Sequence, residues 1–146
     1  MSGEKTIRLE LALGYTHGSG ALSGYFEALE EGRALASRCE TCERTWFPPH
    51  IRCPEDGGTC ETIELDGPGV VVAVTRTGTR LPFTDTDMDV SFVLVAMTGA
   101  DNAAFGRLEG FNGADATNMR VRLARTDSPV GHPAQRLVFR PLEEDA

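Results

Sequence analysis

Hydrophobic positions change their spacing several times along the chain. Near the start Ile7, Leu9, Leu11 and Leu13 alternate weakly with polar residues and then give way to the Gly- and His-containing stretch GYTHGSG. That pattern predicts an arm or an edge strand. From Ser19 the period lengthens: Leu22, Tyr25, Phe26 and Leu29 recur at i, i+3, i+4 and i+7, which places them on one face of a helix. Ser19 or Ser23 can cap it, Glu27, Glu30 and Glu31 line the solvent side, and Gly32 supplies the stop. An apolar stripe carrying two aromatics must cover something, either the rest of the chain or a partner's surface.

Residues 34–65 show neither period. They hold every cysteine, the single tryptophan and the Pro48-Pro49 pair, and a run so rich in Cys, Pro, Gly and charge needs a staple in place of a core. After the DGPG turn at 66–69 the character becomes β. Five runs of strand length, 70–77, 90–98, 103–109, 119–126 and 135–140, are rich in Val and Phe and separated by Gly, Asp, Asn and Pro. GADN at 99–102 has the composition of a tight hairpin. Five strands with long connections after the first and fourth fit a small closed barrel of the OB-fold type better than an open sandwich. The chain therefore divides into an N-terminal arm and helix (1–33), a cysteine ribbon (34–65) and a barrel (66–146).

Composition narrows the possible functions. In 146 residues there are 14 Lys and Arg against 22 Asp and Glu, a formal net charge of −8, with Lys5 as the one lysine. Binding to nucleic-acid phosphates draws on clustered Lys and Arg, so this balance argues against a general nucleic-acid binder. No apolar run approaches the roughly 18 residues of a membrane span, and MSGEKTIRLE lacks the apolar core of a secretory signal. A soluble, cytoplasmic protein is expected. In that compartment thiols stay reduced, so the cysteines read as metal ligands before they read as disulfides.

Cys39 and Cys42 form CETC, whose two-residue spacing lets both sulfurs reach one ion from a tight knuckle. Cys53 follows in CPEDGG, and Cys60 comes last, separated from Cys53 by six residues where a second knuckle wants two. Asp56 stands where the fourth cysteine would be. Three readings are open: Cys60 folds back to complete a four-cysteine site, Asp56 coordinates through oxygen, or the site has decayed. We take Cys60 as the expected fourth ligand. Four protein ligands leave no open position for substrate or activated water, so a structural Zn2+ is expected. His50 lies within the ribbon but reads as a surface side chain, and His17 and His132 have no second ligand or acid at useful spacing. No Ser-His-Asp signature, phosphate loop or HExxH motif is present, so no catalytic residue is expected.

Taken in order, the helix, CETCERTWFPPHIRCP, GPGVVVAVTRT, VSFVLVAMT, GRLEG, MRVRL and the terminal LVFRP resemble the DUF35 family over residues 19–141. The resemblance implies an N-terminal helix, a rubredoxin-like zinc ribbon and an OB-fold barrel. It also implies a non-catalytic companion of thiolase-fold enzymes that act on acyl-CoA by thiolysis, acyl transfer or retro-aldol cleavage. Such a companion docks on the catalytic subunit and contributes to the passage for coenzyme A, the nucleophilic cysteine belonging to the partner. Carried over, Cys39, Cys42 and Cys53 match ligand positions, with Cys60 substituting for the fourth. Tyr25, Phe26 and Leu29 match the helix face expected to meet the partner. Arg44 and Phe47, between the knuckles, suit an interface or a nucleotide-pantetheine contact, while Trp46 reads rather as closing the ribbon onto the barrel. The 77–89 connection is too long for a bare hairpin, and Arg80 and Phe83 are expected to face the acyl-CoA entrance. Two other functions compete: a single-stranded nucleic-acid module, which the barrel and ribbon invite but the charge opposes, and a rubredoxin-like iron protein, which would be red.

Overall fold

The computed structural model describes residues 3, 5–79, 88–125 and 136–143. Residues 5–19 form no regular element and expose Ile7, Leu9, Leu11, Leu13 and Tyr15, so the alternating segment is an arm that pairs with no strand among the described residues. A 3-10 turn at Gly20–Leu22 leads into helix α1, Ser23–Glu30. Neither expected serine caps it through its side chain: Ser23 Oγ bonds back to the Gly20 carbonyl and lies 2.9 Å from Ser19 Oγ. The C-terminal stop is at Gly32, as expected, with φ +75°. Its N–H donates to the Leu29 carbonyl at 3.1 Å and the Arg33 N–H to that of Ala28 at 2.8 Å, the paired bonds of a Schellman end. A side chain at 32 would also meet the backbone nitrogen of Arg125 at 2.9 Å, so the same glycine lets the helix end against the barrel.

The cysteine region is a three-stranded antiparallel sheet in the order β2-β1-β3, with β1 Ala34–Cys39, β2 Thr45–Trp46 and β3 Cys60–Leu65. Five further strands close into a barrel: β4 Pro68–Thr79, β5 Met88–Met97, β6 Ala103–Leu108, β7 Arg120–Leu123 and β8 Val138–Pro141. Around the barrel the order is β4-β5-β6-β8-β7, with β7 returning to β4. All pairings are antiparallel except β6 with β8, where Arg107 aligns with Val138 and Leu108 with Phe139. This is an OB-like barrel, and closure removes the open edges that would otherwise need protection. Mainly β, with one short helix, the architecture is the expected one.

One apolar core runs through helix, ribbon and barrel. Tyr25 and Leu29 from α1, Ala34, Ala36 and Phe47 from the ribbon, and Val71, Val93, Val95, Val121 and Phe139 from the barrel belong to a single cluster. The 99–102 hairpin adds a polar clamp between ribbon and barrel. Thr45 N–H donates to Asp101 Oδ2 and Asp101 N–H to the Thr45 carbonyl, both at 2.8 Å. Asn102 Oδ1 accepts the Phe47 N–H at 2.9 Å, and Asn102 Nδ2 donates to the Phe47 carbonyl at 2.8 Å. The short strand β2 is thus paired on one side by β1 and held by barrel side chains on the other. Among the described residues no helix is long and apolar enough to cross a membrane.

Candidate metal centre and surrounding surfaces

Two turns of the same design face each other at the tip of the ribbon. After β1, the Glu43 N–H donates to the Cys39 carbonyl at 3.0 Å and the Cys39 N–H to the Arg44 carbonyl at 2.9 Å. In the second turn Gly57 N–H donates to the Cys53 carbonyl and Cys53 N–H to the Gly58 carbonyl, each at 2.9 Å. The fifth residue of each turn has positive φ, 61° at Glu43 and 71° at Gly57. Superimposing the patterns puts Cys39 opposite Cys53 and Cys42 opposite Asp56. The first knuckle also aims its amides inward, Thr41 N–H at 3.4 Å and Cys42 N–H at 3.5 Å from Cys39 Sγ.

The ligand atoms of Cys39, Cys42, Cys53 and Asp56 all lie within 4.8 Å of one another. A tetrahedral ion with sulfur at about 2.3 Å and oxygen at about 2.0 Å sets its ligand atoms about 3.8 Å apart for two sulfurs and about 3.5 Å for sulfur and oxygen. Cys42 Sγ stands 3.6 Å from Cys53 Sγ, and Cys39 Sγ stands 3.4 Å from Asp56 Oδ1. The donor set therefore fits a zinc-sized ion. Cys60, expected as a ligand, is not in this group. It pairs with Cys39 across the β1–β3 ladder, and its Sγ approaches the Gly58 carbonyl at 3.9 Å. The thiol lines a cleft of about 240 Å³ between α1 and the ribbon, which Tyr25, Leu35 and His50 also line.

Crowding sets the acidities of this cluster. Gly58 N–H, 2.8 Å from Asp56 Oδ1, is the main influence holding that carboxyl below its ordinary range. At Cys53 desolvation opposes ionisation, but the N–H groups of Asp56 and Glu55 and the neighbouring thiols outweigh it and bring the group below the usual thiol value. Cys42 goes the other way: the Arg44 N–H favours its thiolate, yet desolvation and bonds shared with Cys53 and Cys39 push it up to about 11. Desolvation raises Cys60. A metal competes for these groups with protons, and all ligands must be deprotonated to hold it.

The residues expected to contact a partner or ligand divide by burial. Phe47 is 0% exposed, edge-on to Tyr25 with ring centroids 6.2 Å apart, so its expected contact role is corrected to a core role. Leu29, also 0% exposed, and Tyr25 pack into the chain's own core; Phe26 packs half-buried against the same cluster. Much of the helix stripe is thus spent internally, while Leu22 and Phe26 stay partly exposed. Burial also pushes the Tyr25 hydroxyl up to about 12. Arg44 is on the surface, 3.2 Å from Glu55 across the two knuckles. Trp46 is half-buried beside His50 and keeps its Nε1 buried without a hydrogen-bond partner. Arg80 and Phe83 lie outside the described residues.

Sequence reasoning missed two features. The clamp residues Asp101 and Asn102 read only as turn formers, and nothing in GADN signals their contact with residues 45 and 47. The outer face of β4, β5 and β6 exposes Val72, Leu94 and Phe105, with Phe92 and Phe105 stacked at 5.4 Å and 14°. Alternation within VSFVLV could have shown that patch, since positions 92 and 94 share a face opposite 93 and 95.

Fold and cluster together define a class, a four-ligand metal ribbon joined to an OB-like barrel. Residues 26–61 match the family model of the ChsH2 rubredoxin-like zinc ribbon domain. A solved structure described as "Ltp2-ChsH2(DUF35) aldolase" is similar at TM-score 0.63 and 25% identity, over 87% of this chain and 98% of that one. A DUF35 family protein of unknown function from Sulfolobus solfataricus shares the fold at TM-score 0.59 and 14% identity, over 84% of this chain and 86% of its own. No curated protein sequence matches. The ribbon thus matches the ChsH2 zinc ribbon model, and the chain as a whole is similar in fold to proteins described as DUF35.

Proposed function

We propose that this chain is the non-catalytic DUF35 subunit of a thiolase-like enzyme acting on acyl-CoA, docking on the catalytic subunit and helping to form its coenzyme A passage. The observation that carries this reading is the similarity, across nearly the whole of both chains, to the DUF35 chain of an aldolase complex. Two features of the chain agree with it. Among the described residues Cys39, Cys42 and Cys53 cluster with Asp56 as candidate ligands, and a closed four-ligand ion offers no position for a reacting group. Zinc here would fix the ribbon's shape and take no part in bond making. The apolar outer face of β4 to β6 has the make-up of a docking surface. Arg44 on the ribbon, with Arg80 and Phe83 between the ends of β4 and β5, are our assigned contacts to the acyl-CoA or the partner. Co-expression with a thiolase-like subunit tests the reading: a stable hetero-oligomer should purify, and activity should fall when this chain is omitted. A catalytic subunit fully active alone overturns it. Within the complex, Arg80→Ala should raise the apparent KM for acyl-CoA.

A second reading, a single-stranded nucleic-acid module, has one observation in its favour. The Phe92–Phe105 stack lies on the face of the second and third barrel strands, the surface OB-folds use for oligonucleotides. A formal charge of −8 opposes it, because a stacking platform without a basic groove cannot hold the backbone. A salt-sensitive shift with single-stranded oligonucleotide would favour this second reading.

A further inference from the structure

We propose that the ribbon's ion is held by the thiolates of Cys39, Cys42 and Cys53 and a carboxylate oxygen of Asp56, with Cys60 outside the coordination sphere. This assignment stands apart from the docking reading above, since it concerns the isolated chain.

Three observations carry it. First, the two turns share one hydrogen-bond pattern and one positive-φ position, and in that pattern Asp56 occupies the place that Cys42 holds in the first turn. The second turn is a knuckle of the same backbone form that offers an oxygen where the first offers a sulfur. Second, the Cys39–Asp56 separation of 3.4 Å is short for two sulfurs on one tetrahedral ion and right for sulfur and oxygen. Third, the carboxylate is held in place. Gly58 N–H bonds Oδ1, and a Cβ at position 58 would stand 2.8 Å from that oxygen and 3.2 Å from Cys39 Sγ. A glycine at 58 is what leaves room for the carboxylate beside the thiolate.

Cys60 stands outside the group. It is the first residue of β3, in register with Cys39, but its Sγ is turned toward the Gly58 carbonyl at 3.9 Å and is not among the ligand atoms that lie within 4.8 Å of one another. The centre is also lopsided: Cys39 and Cys53 are buried, whereas Cys42 and Asp56 are exposed. One edge of the coordination tetrahedron, including the oxygen, thus faces solvent. A competing chelator would reach the ion from that edge.

X-ray absorption on the full chain loaded with Zn2+ is the direct test. The expected first shell is three sulfurs and one oxygen. Cys60→Ser should retain one ion per chain and the same shell, whereas Asp56→Cys should give four sulfurs and slow the transfer of Zn2+ to a chelator. Asp56→Ala should weaken Zn2+ affinity about tenfold or more. Four sulfurs in the parent protein, or loss of one sulfur or of the ion on Cys60→Ser, overturns the assignment. Because Cys60→Ser touches no proposed ligand, it decides the matter even if the Asp56 variants fold poorly.

Discussion

The ribbon and the barrel solve the same problem with different means. The barrel closes five strands around Val71, Val93, Val95, Val121 and Phe139, and its order is written in apolar side chains, which join those of helix and ribbon in one cluster. Of the three ribbon strands, β2 is two residues long and β3 is buried nowhere along its length. Its tip is organised by four ligand atoms, and its inner side borrows the helix above and the barrel below. Apolar burial stabilises in proportion to area, and a metal stabilises by joining points that are remote in sequence. The first leaves a periodic signature and the second leaves a spacing.

Removing the metal should widen this contrast more than any other change. Structural zinc contributes on the order of 10 kcal/mol to small ribbons, so chelation should abolish amide protection in β1 to β3. Protection in β5 and β6 should persist, because Val93 and Val95 pack within the barrel. Hydrogen exchange followed by mass spectrometry reads both regions in one experiment. Simultaneous loss everywhere would mean that the shared core makes ribbon and barrel a single cooperative unit.

The reverse experiment strikes the barrel. Phe139 is wholly buried, and Phe139→Ala should cost about 3–5 kcal/mol in denaturant unfolding. Zinc stoichiometry should be unchanged at temperatures where the variant stays folded, because no ligand lies near β8.

What could be read in advance follows the same division. The helix, its Gly32 stop and the five barrel strands were legible because a 3.6-residue stripe and Val-rich runs are local patterns. That Cys39, Cys42 and Cys53 would come together was legible from CETC and the following Cys-Pro. The fourth member of the cluster was not, since a sequence shows the six-residue gap to Cys60 but not the turn that brings Asp56 beside Cys39. Phe47 misled for a related reason: an aromatic between knuckles looks exposed until the 99–102 hairpin and Tyr25 enclose it. Tyr25 and Leu29 could not be assigned to their own core from periodicity alone, because a stripe states that something is covered and not what.

The joint between the two regions should be next in size. Asn102 makes two hydrogen bonds to the backbone of Phe47, at 2.9 and 2.8 Å, and Asn102→Ala leaves an N–H and a carbonyl without those partners. A loss of about 1–3 kcal/mol is expected, read as a shifted denaturation midpoint. The clamp hypothesis also requires that the ribbon unfold earlier than the barrel in this variant. If both still melt together with an unchanged midpoint, the hairpin is an ordinary turn that happens to lie near β2.

The smallest effect belongs to Arg44. It meets Glu55 at 3.2 Å with both side chains about half exposed, at 52% and 50%, so solvent screens the pair. A double-mutant cycle with Arg44→Ala and Glu55→Ala should return only about 0.2–1 kcal/mol of coupling. That small value is what makes the residue informative. Arg44 sits on the ribbon's surface, just past Cys42, where a charge is poorly used for holding the fold. If it serves contact with a partner or an acyl-CoA, Arg44→Ala should weaken assembly or raise the apparent KM while leaving the unfolding midpoint almost untouched. A variant that lowers stability and assembly in proportion would instead place Arg44 with the knuckles, as one more fastening of the ribbon.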